Sequence, residues 1–323
     1  MNTASARAGA NIALVKYWGK RDAVRNLPAA GSISITLDTL ETVTRIERLP
    51  GSGRDRFVLD GREQDATAVS RVLDLLSPGQ RPACRISSRN SFPTGAGLAS
   101  SASGYAALVV AAATVLEVDL EPTALSAIAR QGSGSAARSL FGGFCEMHAG
   151  TRADGEDSVA VALHPPEHWP LEVVVAITDP GPKAVSSRDG MNRTMQSSPY
   201  YQAWVDSVDA DLEQARRAIA GRDFAALAEV SEHSALKMHA SALAARPGLL
   251  YWNAATLACL QLVRDLRQDG AGVFFTVDAG PQVKAVCLPG ESQRVAEALA
   301  TVNGVGQILR AGLGDGARLV ETA

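Results

Sequence analysis

The sequence predicts an α+β protein of two domains, and three observations predict it. At 323 residues the chain exceeds the roughly 100–200 residues of a single domain. Its first half alternates strand-like and helix-like segments. After a run of turn formers, TDPGPKAVSSRDG (178–190), helical patterns dominate before strand returns. The expected division falls in that run and gives domains over 1–184 and 185–323.

Each element has its own warrant. The apolar ANIALV (10–15) reads as a buried strand, and the β-branched residues of SISITL (32–37) and TVTRIERL (42–49) predict two more. ATAVSRVLDLL (66–76) has helical spacing, CRISS (84–88) is strand-like, and the uncharged Ala-rich segment to Leu116 predicts a buried helix from about Ser101. A short helix follows at 123–130, then strands near 144–148, 158–163 and 171–177. Helices fill about 199–267. VFFTV (273–277), a turn, VKAVCL (283–288), the helix QRVAEALA (293–300) and a short final strand complete an α+β pattern.

Charge narrows the function classes. Thirty-one Lys and Arg against 34 Asp and Glu leave a net charge of −3, so no global positive field draws the chain to nucleic acid or an anionic membrane. Any anion site is therefore local. The four cysteines lack a CxxC pair, which argues against zinc and a disulfide framework. Residues 106–116 fall short of the roughly 20 apolar residues that span a bilayer, and ANIALV is too short for a signal peptide. A cytoplasmic protein is expected.

Three Gly/Ser stretches and one acid carry the chemistry. SFPTGAGLASSASG (91–104) places bare backbone and serines where a helix begins, which suits either tight packing or a phosphate on free N–H groups. A hydroxyl there can also ligate Mg²⁺, which takes hard oxygen donors. No GxxxxGK[ST] occurs, and the dinucleotide fingerprint fits poorly because Ser100 stands where Gly or Ala belongs and no second parallel strand follows. KYWGKRD (16–22) projects Lys16, Lys20 and Arg21 beside Tyr17 from the end of a strand, which is either a solvated edge or an anion grip. GSGSAARSLFGGF (132–144) contains Arg138, whose planar fork matches a carboxylate or phosphate. In VSSRDGMNRT (185–194), Ser186, Ser187 and Arg188 open a helix. VFFTVDAGP ends on Asp278, either a turn cap or a carboxylate among cations with its pKa held low. His233 and His239 lack metal-ligand spacing and are read as structural.

ANIALVKYWGKRD, FPTGAGLASSASG, GSGSAARSLFGGF, SSRDGM and DAGP, in this order, resemble the mevalonate diphosphate decarboxylases of the GHMP kinase superfamily. The resemblance implies an N-terminal domain like the second domain of ribosomal protein S5, a ferredoxin-like C-terminal domain, ATP with Mg²⁺, and a homodimer. It implies that Thr94, Gly95, Gly97, Leu98, Ala99, Ser100, Ser101 and Ser103 hold the nucleotide, with Ser101 on the metal. Tyr17, Lys20, Ser135, Ser187, Arg188 and Met191 would surround the diphosphate of mevalonate 5-diphosphate. Arg138 would meet its carboxylate and Asp278 its tertiary hydroxyl, with Lys16 nearby. Two departures stand out: Ala29-Ala30-Gly31 where relatives usually carry Asn, and Gln282 where Asn is common. Rival readings are a phosphomevalonate decarboxylase, a mevalonate 3-kinase, a non-catalytic nucleotide sensor and, on the glycine loop alone, a dehydrogenase.

Overall fold

The computed structural model describes residues 1–50, 53–92, 100–181 and 183–321. In chain order its elements begin with β1 (Thr3–Val15), β2 (Lys20–Asp22), β3 (Leu27–Pro28), β4 (Ser32–Arg48), β5 (Arg56–Leu59) and β6 (Arg62–Gln64). Next come α1 (Thr67–Leu76), β7 (Cys84–Asn90), α2 (Ser100–Leu116) and α3 (Pro122–Gly132). A 3-10 turn at Ala136–Leu140 leads to β8 (Phe144–Met147), β9 (Ala160–His164) and β10 (Glu172–Ile177). Four helices follow: α4 (Ser187–Ser197), α5 (Tyr201–Gly221), α6 (Phe224–Leu243) and α7 (Ala254–Gln268). The chain closes with β11 (Val273–Val277), β12 (Val283–Cys287), α8 (Ser292–Ala300), β13 (Gln307–Gly312) and β14 (Arg318–Val320).

These strands build two main sheets. The first runs β14-β1-β4-β7-β5-β6, with β8 also paired to β4 and β9 to β8; the second runs β11-β12-β10-β13. All pairs in the second are antiparallel. β10, which the expected division at 184/185 assigns to the N-terminal half, pairs with β12 and β13 and so lies inside the second sheet. The apolar run VVVAI after Glu172 explains this, because side chains on both of its faces are buried. Val173, Val175 and Ile177 join a central core with β1, β4, α5 and α6, while Val174 and Ala176 face a core closed by α7 and α8.

β1 serves two cores. Ala4, Ala6 and Ala8 pack under α1, α2 and α3, and Ile12 and Leu14 enter the central core. A register shift between Gly9 and Asn11 makes the change of side possible. A Cβ on Gly9 would lie 2.2 Å from the Leu37 carbonyl oxygen, so this close approach requires glycine. Opposite the shift, the two strands expected at 32–37 and 42–49 are one, β4, running through the polar residues Asp38 and Thr39. Those residues read as a break but are secured from the far side: Asp38 accepts from Gly312 N at 2.8 Å and Thr39 Oγ1 donates to Arg310 O at 3.0 Å.

β11 is fixed from behind by a buried acid. Glu232 of α6 takes two bonds from the Arg267 guanidinium, at 2.7 and 3.1 Å, and one from Phe275 N at 3.2 Å. Glu232→Ala strands those donors, and we expect a loss of about 2–3 kcal/mol, measured as a lower urea midpoint at unchanged m value.

Candidate active site

The last residues of β1 and β11 converge. Lys16 follows β1, and its backbone N–H donates to Ser234 Oγ of α6 at 3.0 Å. Its ammonium is 1% exposed, donating to Ala13 O at 2.8 Å and to Asp278 Oδ1 at 2.7 Å. Asp278 directly follows β11, and its other oxygen lies 3.0 Å from Lys284 Nζ of β12. Burial disfavours the Asp278 charge, but the two ammonium groups outweigh it and hold the carboxyl well below the usual range. For Lys16 burial dominates, and despite Asp278 it falls to about 8.

This pair sits on a cavity of about 470 Å³. Its described lining carries five cations, Lys16, Lys20, Arg138, Lys183 and Arg188, and one acid, Asp278. The local surplus of positive charge that a net-acidic protein needs to hold an anion is therefore present. Arg138 comes from the 3-10 turn and is 2% exposed. Its Nη1 donates to Ser32 Oγ at 2.7 Å, and its Nε and Nη2 reach Asn11 Oδ1 at 3.3 and 3.2 Å. Asn11 is aimed by its own amide group, which donates to Ser135 O and Ser139 Oγ. Among the described residues no carboxylate pairs with Arg138, so burial pushes its pKa down and leaves a desolvated fork facing the cavity.

Tyr17 lies under that guanidinium, 6.0 Å from ring centroid to Cζ. Burial raises its phenol to about 12, so it stays neutral, and its buried hydroxyl has no hydrogen-bond partner among the described residues. The hydroxyl lies against Gly134, where a Cβ would come within 2.3 Å. Lys20 begins β2, and burial followed by Arg188 lowers it to about 8. α4 supplies Ser187, Arg188 and Met191; Ser186 caps it by accepting from Asp189 N at 3.1 Å. Lys183 donates to Ser187 Oγ at 3.3 Å, and burial lowers it too to about 8. A helix N-terminus with two hydroxyls and two cations is an anion site by construction.

At the other end stand Ser100 and Ser101 in the first turn of α2, with Ser133 and Ser135 opposite. Ser101 Oγ lies 3.2 Å from Ser133 Oγ, which lies 3.3 Å from Ser135 Oγ. Ser100, Ser101 and Tyr105 also line a second, apolar cavity of about 210 Å³ with Phe57, Leu59, Val69, Ile86 and Leu108.

Two family models, one for each part of the chain, cover this scaffold. A model described as the diphosphomevalonate decarboxylase-like N-terminal domain matches residues 8–160, and one for the mevalonate 5-diphosphate decarboxylase C-terminal domain matches 173–310. The chain belongs to the diphosphomevalonate decarboxylase family. It is 38% identical to the diphosphomevalonate decarboxylase of Aspergillus fumigatus over 93% of this chain and 80% of that one. The human enzyme is 37% identical over 91% and 78%. Among solved structures, mevalonate diphosphate decarboxylase from Staphylococcus aureus is 36% identical with a TM-score of 0.93, covering 99% of this chain and 98% of that one. A complex described as MDDEF with MVAPP, AMPPCP and magnesium is 39% identical with a TM-score of 0.91, covering 99% of both. The two-domain α+β fold expected from the sequence is thus the fold of this family.

Set against the family resemblance, Lys16, Tyr17, Lys20, Ser100, Ser101, Ser135, Arg138, Ser187, Arg188, Met191 and Asp278 all meet on the large cavity. Thr94, Gly95, Gly97, Leu98 and Ala99 lie outside the described residues. Two expectations need correction. Ser103 is fully buried, its hydroxyl 2.6 Å from Thr42 Oγ1 and 3.3 Å from Ser100 O, so it braces α2 on the sheet and is absent from the cavity lining. Arg21 turns away to the carbonyls of Ala149 and Arg152. The sequence reading missed Asn11, Ser133, Lys183 and Lys284. A polar residue inside the apolar ANIALV was the available signal for Asn11, and the interrupted VKAVCL for Lys284.

Because Lys16, Lys20 and Lys183 each titrate near 8, they are cationic below that pH and neutral above it. Affinity for mevalonate 5-diphosphate, whose phosphate charges are already developed at neutral pH, should fall by roughly tenfold or more between about pH 7 and pH 9.5, read by isothermal titration calorimetry.

Proposed function

We propose that this chain catalyses the ATP-dependent decarboxylation of mevalonate 5-diphosphate to isopentenyl diphosphate, releasing ADP, phosphate and CO₂, in the mevalonate route to isoprenoids. It is a carbon–carbon lyase that first acts as a kinase. The observation that carries this reading is the juxtaposition in one cavity of an acid, Asp278, with a buried guanidinium, Arg138, that lacks a carboxylate partner among the described residues. A substrate with its own carboxylate supplies that partner, and a plain alcohol kinase has no use for the vacancy.

The diphosphate lies against Tyr17, Lys20, Ser187, Arg188 and Met191. Tyr17 contributes its unpartnered hydroxyl, and Lys20 and Arg188 contribute charge. Arg138, aimed by Ser32 and Asn11, grips the substrate carboxylate and aligns the carbon that will lose CO₂. Asp278 accepts a hydrogen bond from the tertiary hydroxyl and directs it at the γ-phosphoryl group of ATP. Lys16 and Lys183 neutralise charge on the transferring group, the term that dominates phosphoryl transfer. Loss of the new phosphate leaves positive charge at the tertiary carbon, and departure of CO₂ from the neighbouring carbon quenches it. The apolar cavity beside Ser100 and Tyr105 takes the nucleotide base, and the nearby serine hydroxyls face its phosphates.

The donor set fits Mg²⁺, a hard cation that takes oxygen ligands. Hard hydroxyl oxygens are present at Ser101, Ser133 and Ser135, and among the described residues no group of three His, Cys, Asp or Glu side chains is gathered to cage a metal. When bound, Mg²⁺ would supply neutralisation of phosphate charge, and the Ser101 hydroxyl would help hold it. The division between the two domains belongs between β9 and β10, where the chain leaves one sheet for the other. A cytoplasmic homodimer completes the reading; the four cysteines are free and buried, and no described helix is long and apolar enough to cross a membrane.

The purified protein with ATP, Mg²⁺ and mevalonate 5-diphosphate should release CO₂ and ADP in equal amounts. ADP without CO₂ would make it a kinase, and ATP binding without either product a sensor. Asp278→Asn should lower kcat by roughly 10³-fold or more, with ATP affinity within about threefold of the parent, measured by coupled ADP release and by fluorescence titration.

A further inference from the structure

Lys284 has no role in binding or chemistry assigned to it so far. It is the second residue of β12, and its neighbours Val283 and Ala285 point into the core beneath α7. Alternation therefore turns Lys284 to the opposite face of the sheet, where its side chain is 3% exposed. A lysine at the centre of an apolar strand is costly unless its charge is met. The partner it has is Asp278 Oδ2, at 3.0 Å. Unlike Lys16, it is not among the residues lining the cavity. The carboxylate is thus bracketed, with Lys16 on the cavity side and Lys284 behind.

We propose that Lys284 is a positioning residue of the reaction, one that fixes the second oxygen of Asp278 so that the acid is presented to the substrate hydroxyl as a rigid hydrogen-bond acceptor of fixed direction. The inference rests on the activity proposed above. With each oxygen committed to one ammonium, the carboxylate cannot rotate, and its remaining lone pairs are directed by the bracket. Such an acceptor orients the hydroxyl without taking its proton in advance of phosphoryl transfer; as the new O–P bond forms and the bond from phosphorus to the ADP oxygen breaks, the hydroxyl proton passes to an oxygen of the transferred phosphoryl group. Lys284 never touches substrate.

The charged and titratable groups facing Asp278 are Lys16 after β1, Lys284 on β12, Lys183 before α4, Arg138 in the 3-10 turn and His239 on α6. Four of these are cations at neutral pH. Burial keeps His239 neutral by lowering its pKa to about 3. Removing Lys284 takes away one of the two groups in direct contact, so Asp278 must become easier to protonate. A group whose pKa rises is ionised only at higher pH, and an activity that needs the anion then loses its acid side first.

The test compares Lys284→Met, Lys284→Gln and Lys284→Arg with the parent. Two readouts are taken: kcat against pH at saturating substrates, and the pH titration of the Asp278 carboxyl carbon by ¹³C NMR, assigned with Asp278→Asn. For Met and Gln we expect kcat at neutral pH to drop by roughly tenfold or more. The acid limb and the carboxyl titration should both move upward by about one pH unit or more, with KM for either substrate within about threefold. Arg should restore both curves. Met or Gln curves that overlay the parent would overturn the proposal, as would a rise in KM at unchanged kcat. Because the carboxyl titration needs no turnover, a parent protein inactive on mevalonate 5-diphosphate would refute the activity while the NMR curves still decided what Lys284 does to Asp278.

Discussion

One carboxylate held between two ammonium groups joins the two sheets at the place where they must agree. Lys16 ends β1 of the first sheet, whereas Asp278 and Lys284 flank the β11–β12 turn of the second. Withdrawing Asp278 would strand two buried ammonium groups, so the trio ties the two sheets together at this point. Neutral bonds reinforce it. Thr276 Oγ1 donates to Ala13 O at 3.2 Å, and Lys16 N donates to Ser234 Oγ. The acid is thereby placed by three elements, and its direction is a property of the whole assembly.

The second constraint is a cavity wall that is unsatisfied until something negative arrives. Arg138, Lys20, Lys183 and Arg188 converge with little opposing charge, and burial lowers the pKa of the first three. The unpartnered Tyr17 hydroxyl belongs to the same arrangement. Each group is unfavourable to bury alone, and each becomes favourable once a phosphate or carboxylate oxygen replaces its lost water. The three apolar cores around α1–α3, α5–α6 and α7–α8 supply the stability that lets such a wall persist. The same balance bears on Arg138: its hydrogen-bond partners Asn11 and Ser32 are neutral, so a negatively charged group entering the cavity would offset a charge that the described residues leave uncompensated.

Much of this was legible in the sequence because polar residues interrupt apolar runs at the ends of elements. KYWGK closes a buried strand, SSR opens a helix, and DAGP ends VFFTV, and all three meet on the cavity. The rest failed for geometric reasons. Ser103 looked like one more donor in a serine cluster, yet two residues of helix rotate it by roughly 200° from Ser101 and turn it toward Thr42. Lys284 is one polar residue in the apolar strand VKAVCL, and nothing local shows that β12 lies between β11 and β10 with both faces covered. Lys183 is hidden in a run of turn formers, where nothing local says which way the chain will face. Residues 38–41 read as a break because their partners, Arg310 and Gly312, are far away in sequence.

Gln282 shows how tightly the turn after Asp278 is coupled to the segment that leads to Lys183, Ser187 and Arg188. Its side-chain oxygen accepts from Thr178 N at 2.7 Å, and its amide nitrogen donates to Asp179 O, so the side chain pairs with that backbone much as a neighbouring strand would. Thr178 Oγ1 returns a bond to Pro281 O at 2.9 Å, and Thr256 Oγ1 donates to the same carbonyl. Five residues beyond Thr178 the chain reaches Lys183, and a few more bring it to Ser187 and Arg188. Gln282 therefore braces the turn that carries Asp278. It continues the β10–β12 pairing toward the root of α4, so that Asp278 and the cavity-lining Lys183, Ser187 and Arg188 are set from one hydrogen-bonded frame.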